Sequence, residues 1–164
     1  MSRILLFVLA VLLTACSDSG NTTAQSSPTS SAELPNMQKI LQSKFLNAQS
    51  GDVITIPEGT FDFQRSLSLK VDGVTVRGAG MYKTILSFKH QISGAEGILV
   101  TASDFTIEDL AIEDAKGDAL KINEGKNIVI RRVRTEWTNG PDTDNGAYGI
   151  YPVQTENTLI EGVI

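Results

Sequence analysis

Most compact sites are built from residues this chain largely lacks. It carries one cysteine, Cys16, and one histidine, His90, so alone it forms neither an internal disulfide nor a His/Cys metal cluster. It lacks a basic surplus: 14 Lys and Arg stand against 19 Asp and Glu, a formal net charge of −5. Nucleic-acid binding needs a cationic footprint that this balance does not supply. The same deficit argues against broad electrostatic capture of an acidic polymer. A membrane-spanning run is missing too: the apolar stretch Ile4–Leu13 has ten residues, about half of what a bilayer-crossing helix needs. From Ser17 to about Leu34 the chain is mainly Ser, Thr, Gln, Asn and Gly. Such a stretch buries too little surface to offset its ordering entropy. As a flexible coil of about 20 residues it reaches roughly 25 Å, which suits a tether.

What is present begins at the N-terminus. Arg3 precedes the apolar run, and Leu13-Thr14-Ala15-Cys16 sets small residues before the cysteine, the pattern of an export signal. The four-residue run resembles the lipobox of bacterial lipoproteins, whose cysteine is thioether-linked to diacylglycerol and becomes the mature N-terminus. The resemblance implies a signal peptide over 1–15 and lipidation of Cys16, followed by a tether to residue 35. Loss of Arg3 with the signal takes the charge from −5 to −6. Ser17 stands where an inner-membrane retention aspartate would sit in that family. The implied place is the bacterial cell envelope, lipid-anchored at the outer membrane, with the membrane as a partner. The plainer alternative is an ordinary signal peptide or uncleaved anchor with an idle thiol.

The remaining stretch of about 130 residues is enough for one core. Four segments in it repeat, starting at Gly73, Asp104, Asn127 and Asn157. Three residues after each start stand Val76, Ile107, Ile130 and Ile160; one residue after stand Val74, Phe105, Ile128 and Thr158. Alternation with period two marks strands with one buried face. Leu69, Val100, Ile122 and Val153 form an upstream column, and Ala79, Leu110, Val133 and Val163 a downstream one. Spacings of 31, 23 and 30 residues between starts fit a coiled solenoid of short strands, each rung burying its face on the next.

The columns also order the polar residues. Four residues after each start come Arg77, Glu108, Arg131 and Glu161, alternating in sign. Parallel strands lie about 4.8 Å apart, so these side chains are expected to pair from rung to rung. The basic cluster Lys121, Lys126, Arg131, Arg132 and Arg134 then reads as scaffold in preference to a polyanion groove, with Asp109 stacked under Arg132. The start residues Asp104, Asn127 and Asn157 read as a ladder of turn residues in preference to a metal site.

Before the first rung, Met37, Ile40, Leu41, Phe45 and Ala48 fall at helical spacing, with Asn36 as N-cap and Gly51 as stop. A helix over 36–50 is the expected plug for the open end of a solenoid; a partner-binding helix is the alternative. Gly51-Asp52-Val53-Ile54-Thr55-Ile56-Pro57-Glu58-Gly59-Thr60-Phe61 follows, and then Val74-Thr75-Val76-Arg77-Gly78-Ala79-Gly80. Helix and motifs together resemble the opening of the pectate-lyase-like right-handed parallel β-helix superfamily, over about residues 36 to 164. The implied fold is all-β: a right-handed parallel β-helix with an N-terminal capping helix and rungs over 51–164. The superfamily includes polysaccharide lyases, hydrolases, uronate epimerases, a periplasmic copper-site maturation factor and non-catalytic surface proteins, so fold does not settle function.

Two spacings exceed the shortest by seven or eight residues, and the extra length must leave the stack as loops. The second loop runs from Trp137 to Tyr148 and holds the only tryptophan. Aromatic faces stack on sugars, and carboxylates hold Ca²⁺ or act as acid and base. The candidates are Asp142, Asp144 and Tyr148 for catalysis, and Trp137, Asn139, Asn145 and Tyr151 for binding. The run lacks the full calcium-loop spacing and the bidentate Glu that closes it, so no metal is assigned. The alternative is a polar turn with Trp137 packed on the rung edge. His90 lies in the other loop and reads as inert. No lyase or epimerase signature can be placed residue by residue: there is no Asp-Pro-His triplet and no Lys/Arg catalytic pair.

Ile164 follows a repeat unit with no closing helix, so the expectation is the front part of a longer solenoid. The functional expectation is an envelope lipoprotein that binds or acts on polysaccharide, as a lyase, epimerase or hydrolase by resemblance. A non-catalytic surface module is the alternative. An accessory factor for a periplasmic metalloenzyme is a weaker third, disfavoured by the single histidine.

Overall fold

A computed structural model of the protein describes residues 36–164. The expected signal peptide, Cys16 and the tether lie outside the described residues. Helix α1 (Met37–Leu46) comes first, then β1 (Val53–Thr55), β2 (Gly59–Asp62), β3 (Arg65–Leu69), β4 (Thr75–Arg77) and β5 (Thr84–Ser87). The longer strands follow: β6 (Ser93–Val100), β7 (Thr106–Glu113), β8 (Leu120–Glu136) and β9 (Ile150–Glu161). No described helix is long and apolar enough to cross a membrane.

α1 starts as expected. The Asn36 side chain accepts a hydrogen bond from the Lys39 N–H at 3.1 Å, meeting one of the donors a helix start leaves open. It ends earlier than expected. The Asn47 side chain donates to the Ser43 carbonyl at 2.8 Å, and its own N–H takes the same acceptor at 3.1 Å. Gly51 therefore does not stop the helix; with φ +93° it turns the chain into β1. Leu41 and Phe45 are buried on the first rung, Met37 and Ala48 pack beside them, and Ile40 points to solvent. The stripe is narrower than its spacing implied because one short helix covers only the end of the stack.

Every strand pair is parallel, and the chain winds as a parallel β-solenoid of about four turns. Face one stacks β1, β4, the start of β7, the middle of β8 and the end of β9. Face two stacks β2, β5, the end of β7 and the end of β8. Face three stacks β3, β6, the start of β8 and the start of β9.

The repeat columns are the register of this stack. Val76 pairs with Ile107, Ile107 with Ile130, and Ile130 with Ile160. Val74, Phe105 and Ile128 are fully buried one column away. Upstream, Leu69, Val100 and Ile122 align, but Pro152 completes that column and Val153 lies opposite Asn123. β8 and β9 pair at a constant offset, with no bulge to move Val153 into place. Among the described residues β9 pairs with β8 alone, and such an edge position accepts proline. In the downstream column Leu110 pairs with Val133, whereas Ala79 is exposed in the turn before β5. Phe63 and Phe88 fill the space under face two, rings stacked at 5.2 Å. On the last rung Leu159, Ile160, Val163 and Ile164 are exposed.

The corners explain the polar columns. Gly73, Asp104, Asn127 and Asn157 all have positive φ, between 52° and 76°. Only glycine adopts that conformation freely, and Asn and Asp are the side chains that tolerate it best. Asn127 donates to Asp104 and Asn157 donates to Asn127, each at 2.7 Å, so the corner residues form the expected ladder. One position past the sign-alternating column, Asp109 and Arg132 make the next corner, again with positive φ.

Candidate functional site

The expected loop, residues 137–149, leaves the stack between β8 and β9. Its base is tied down. Trp137 is half-buried, and its indole N–H donates to the Ala115 carbonyl at 2.7 Å. Thr138 is bound through its N–H and hydroxyl to the Asp114 carboxylate. The tip closes on itself: Asp142 accepts from the Asp144 N–H at 2.9 Å, and Asn145 donates to the Gly140 carbonyl at 2.9 Å. Asn145 is thus a brace of the turn. Asn139, Asp142 and Asp144 are exposed. Near its end the loop presses on the rung beneath, where a Cβ on Gly146 would stand 1.6 Å from the Gly117 carbonyl oxygen. Only glycine fits at this contact, two residues before Tyr148.

Tyr148 and Tyr151, both sequence candidates, come together. Their rings stack at 4.5 Å between centroids and 21° between planes, and Tyr148 is 51% exposed. Strand register then brings in side chains from earlier rungs. Lys121 stands directly beneath Tyr151, with its ammonium 5.6 Å from the ring centroid, within reach of a cation–π attraction. The Ala119 N–H bonds the Tyr148 carbonyl, and the Gly97 N–H bonds the Asp118 carbonyl, so Glu96, Asp118 and Tyr148 occupy successive levels. Lys121 Nζ lies 3.7 Å from Glu96 Oε1 and 3.9 Å from Asp118 Oδ2, and both carboxylates are partly accessible. Face three thus presents an aromatic pair, one lysine and two carboxylates.

A buried amide steadies the lower part of this face. Gln91, 2% exposed, donates to the Ser66 hydroxyl at 3.1 Å and the Glu96 carbonyl at 3.0 Å. Its oxygen accepts from the Lys116 N–H at 3.0 Å. One side chain therefore spans three rungs, and it fixes the backbone at Glu96 and just ahead of Asp118.

Elsewhere the charged residues hold the scaffold. Glu108, with its side chain 8% exposed, receives Arg77 at 2.5 Å, Arg132 at 3.2 Å and Arg131 at 3.4 Å. Arg131 also reaches Glu161 at 3.9 Å. Arg134 is enclosed between Glu113 and Glu136 and lies 5.4 Å from the Tyr82 ring. Asp109 binds Arg132 at 2.6 Å. The Arg132 hydrogen bond holds the Asp109 carboxyl below the usual carboxylate range, and the same bond raises the guanidinium. His90 is exposed, with Nδ1 2.8 Å from Asp62 Oδ1. Asp62 also lines an open cavity of about 930 Å³ beside α1, with Met37, Pro57, Glu58, Phe61 and Arg65. Among the described residues no group of three or more His, Cys, Asp or Glu side chains is placed to hold a metal ion.

Compared with protein-family models, curated proteins and solved structures, the chain matches none. The class established is therefore that of a parallel β-solenoid with one capping helix. Sequence reasoning singled out the two tyrosines. It placed Lys121 among scaffold cations and passed over Glu96, Asp118 and Gln91. The available signal was the register: Leu99 pairs with Lys121 and Lys121 with Tyr151, so the columns of face three could have been written out as those of face one were.

Proposed function

We propose that this protein is an envelope lipoprotein, anchored through Cys16, that binds polysaccharide along face three with Tyr148 and Tyr151 as the stacking platform. The observation that carries this reading is the half-exposed tyrosine pair directly above Lys121, Glu96 and Asp118. Sugar rings present C–H faces to aromatic rings and hydroxyls to charged groups, and this face offers both within one short stretch of rungs. A row of parallel strands suits an extended chain, because each rung repeats the outward positions at a fixed spacing. The run resembling a lipobox supports the anchor, and the composition of residues 16–35 suits a tether between that anchor and the solenoid.

The resemblance to pectate-lyase-like proteins gives the ligand class its prior. It supplies no catalytic group, so binding is the function proposed. Asp142 belongs to the turn it braces, and Asp142→Asn/Asp144→Asn is expected to leave binding intact.

The test is affinity electrophoresis of the detergent-extracted protein across a panel of soluble polysaccharides. Tyr148→Ala/Tyr151→Ala should weaken retardation about tenfold or more, since each ring contributes on the order of 1 kcal/mol by stacking. Unchanged retardation in a folded double variant would remove face three from the function. Metabolic labelling with a fatty acid that is lost in Cys16→Ser tests the anchor.

A further inference from the structure

The charges on face three define which saccharide it takes. Resting on the binding site proposed above, we infer that it selects neutral or amino sugars and discriminates against uronate and sulfate polymers. Three observations lead there.

The first is hydrogen-bond capacity. Neither the Glu96 nor the Asp118 carboxylate has a hydrogen-bond partner among the described residues; Lys121 lies at 3.7 and 3.9 Å, beyond hydrogen-bond length. Both carboxylates are acceptors only. What they lack is donors, and a sugar hydroxyl or an ammonium group supplies them. The carboxylate of a uronate does not.

The second is net charge. Two carboxylates share one lysine, which leaves the cluster one unit negative. Lys121 is further engaged with the Tyr151 ring, so binding an acidic group through it means drawing it away from both acids and from the ring.

The third is where the arginines are. A guanidinium is the side chain that clamps carboxylate and sulfate bidentately. Arg77, Arg131, Arg132 and Arg134 are all held by Glu108, Asp109, Glu113 or Glu136, away from face three. Arg65 opens β3, three strand spacings from β9, about 14 Å away at the usual interval. Lys116 is exposed just ahead of Asp118 and forms no ion pair with either acid. A polyanion laid across the tyrosines therefore meets Glu96 and Asp118 before it meets an uncommitted arginine.

The decisive comparison keeps the polymer backbone and changes only its charge. Several polyuronates are each paired with their carboxyl-reduced, neutral form, and chitosan oligosaccharides are added as the amino-sugar probe. Binding to the full-length protein in detergent is measured at low and high salt. The neutral form or chitosan should bind about fivefold tighter than the uronate at low salt, from one like charge at close range. High salt should compress that ratio, and so should Glu96→Gln/Asp118→Asn. The salt series on the unaltered protein gives the answer independently of whether that variant folds. Tighter binding of a uronate, abolished by Tyr148→Ala/Tyr151→Ala, would overturn the selectivity and leave the site standing. Binding indifferent to the tyrosines, or no binding by any polymer, would overturn the site and the selectivity together.

Discussion

Replacing Glu108 by glutamine removes one charge from the centre of the face-one ladder and nearly nothing else. The carboxylate is buried and receives three guanidiniums at 2.5 to 3.4 Å. One of their nitrogens, Arg131 Nε, is buried with no hydrogen-bond partner, so the Glu108 carboxylate at 3.4 Å is its nearest compensation, with Glu161 reaching only the far Nη1 at 3.9 Å. Breaking a fully buried pair typically costs about 3–5 kcal/mol. Here the arginines are 35–50% exposed, and water compensates part of the loss, which brings the expectation to about 2 kcal/mol. With a urea slope of about 1.5 kcal/mol per molar, the unfolding midpoint should fall by about 1.3 M. Far-UV circular dichroism in urea reads it directly, and the slope should not change. About half of the effect should be lost at about 0.5 M salt through screening at the solvent-facing arginines. A midpoint shift below about 0.3 M at low salt, on that same slope, would mean that the three arginines are satisfied by water, and the account of the ladder would be wrong.

Other expectations follow from the corners and the loop. Asn127 has φ +57° and two ladder hydrogen bonds; Asn127→Ala should lower stability by about 1–2 kcal/mol more than Asn127→Gly, because only alanine keeps the left-handed strain. Thermal melts of the two variants decide it, and equal melts would refute the strain argument. Gly146→Ala must lift the loop off Gly117; polysaccharide retardation should fall while the melting temperature moves little. Asp109 titrates below its usual 3.8 in the folded state. The unfolded chain therefore takes up the proton first on acidification, so this pair's contribution is complete above about pH 4–5 and is lost as pH falls through the folded value. Asp109→Asn should flatten the acid limb of stability against pH, and an unchanged limb would contradict the pairing.

Much of the scaffold was legible because its constraints are local and repeat. A start residue free to take positive φ, followed by apolar residues at alternate positions, is visible in one segment and unmistakable in four. Register follows from those markers without knowledge of contacts. The errors came where a local rule met a competing partner. Asn47 ended α1 by capturing the Ser43 carbonyl before Gly51 was reached, and a constant offset between β8 and β9 put Pro152 where Val153 was expected. The site was harder for a different reason. Tyr148 and Tyr151 are neighbours in sequence, but Glu96, Asp118 and Lys121 reach them only through strands one and two rungs earlier. No window along the chain contains that group, and only columns of face three would have assembled it.

The sign alternation on face one has a consequence for how such a domain can change length. Arg77, Glu108, Arg131 and Glu161 follow one another at successive levels above Thr55, so from Arg77 onward each rung carries the charge opposite to that of its neighbour. Excising the rung of Glu108 or that of Arg131 would close the stack with two like charges in register, a juxtaposition that destabilises paired strands. Excising two would restore the alternation, and with it a parity that the hydrophobic core, identical in kind at every level, does not record. Duplication or loss of rungs should therefore be tolerated in pairs more readily than singly, unless the charge column is rewritten at the same time.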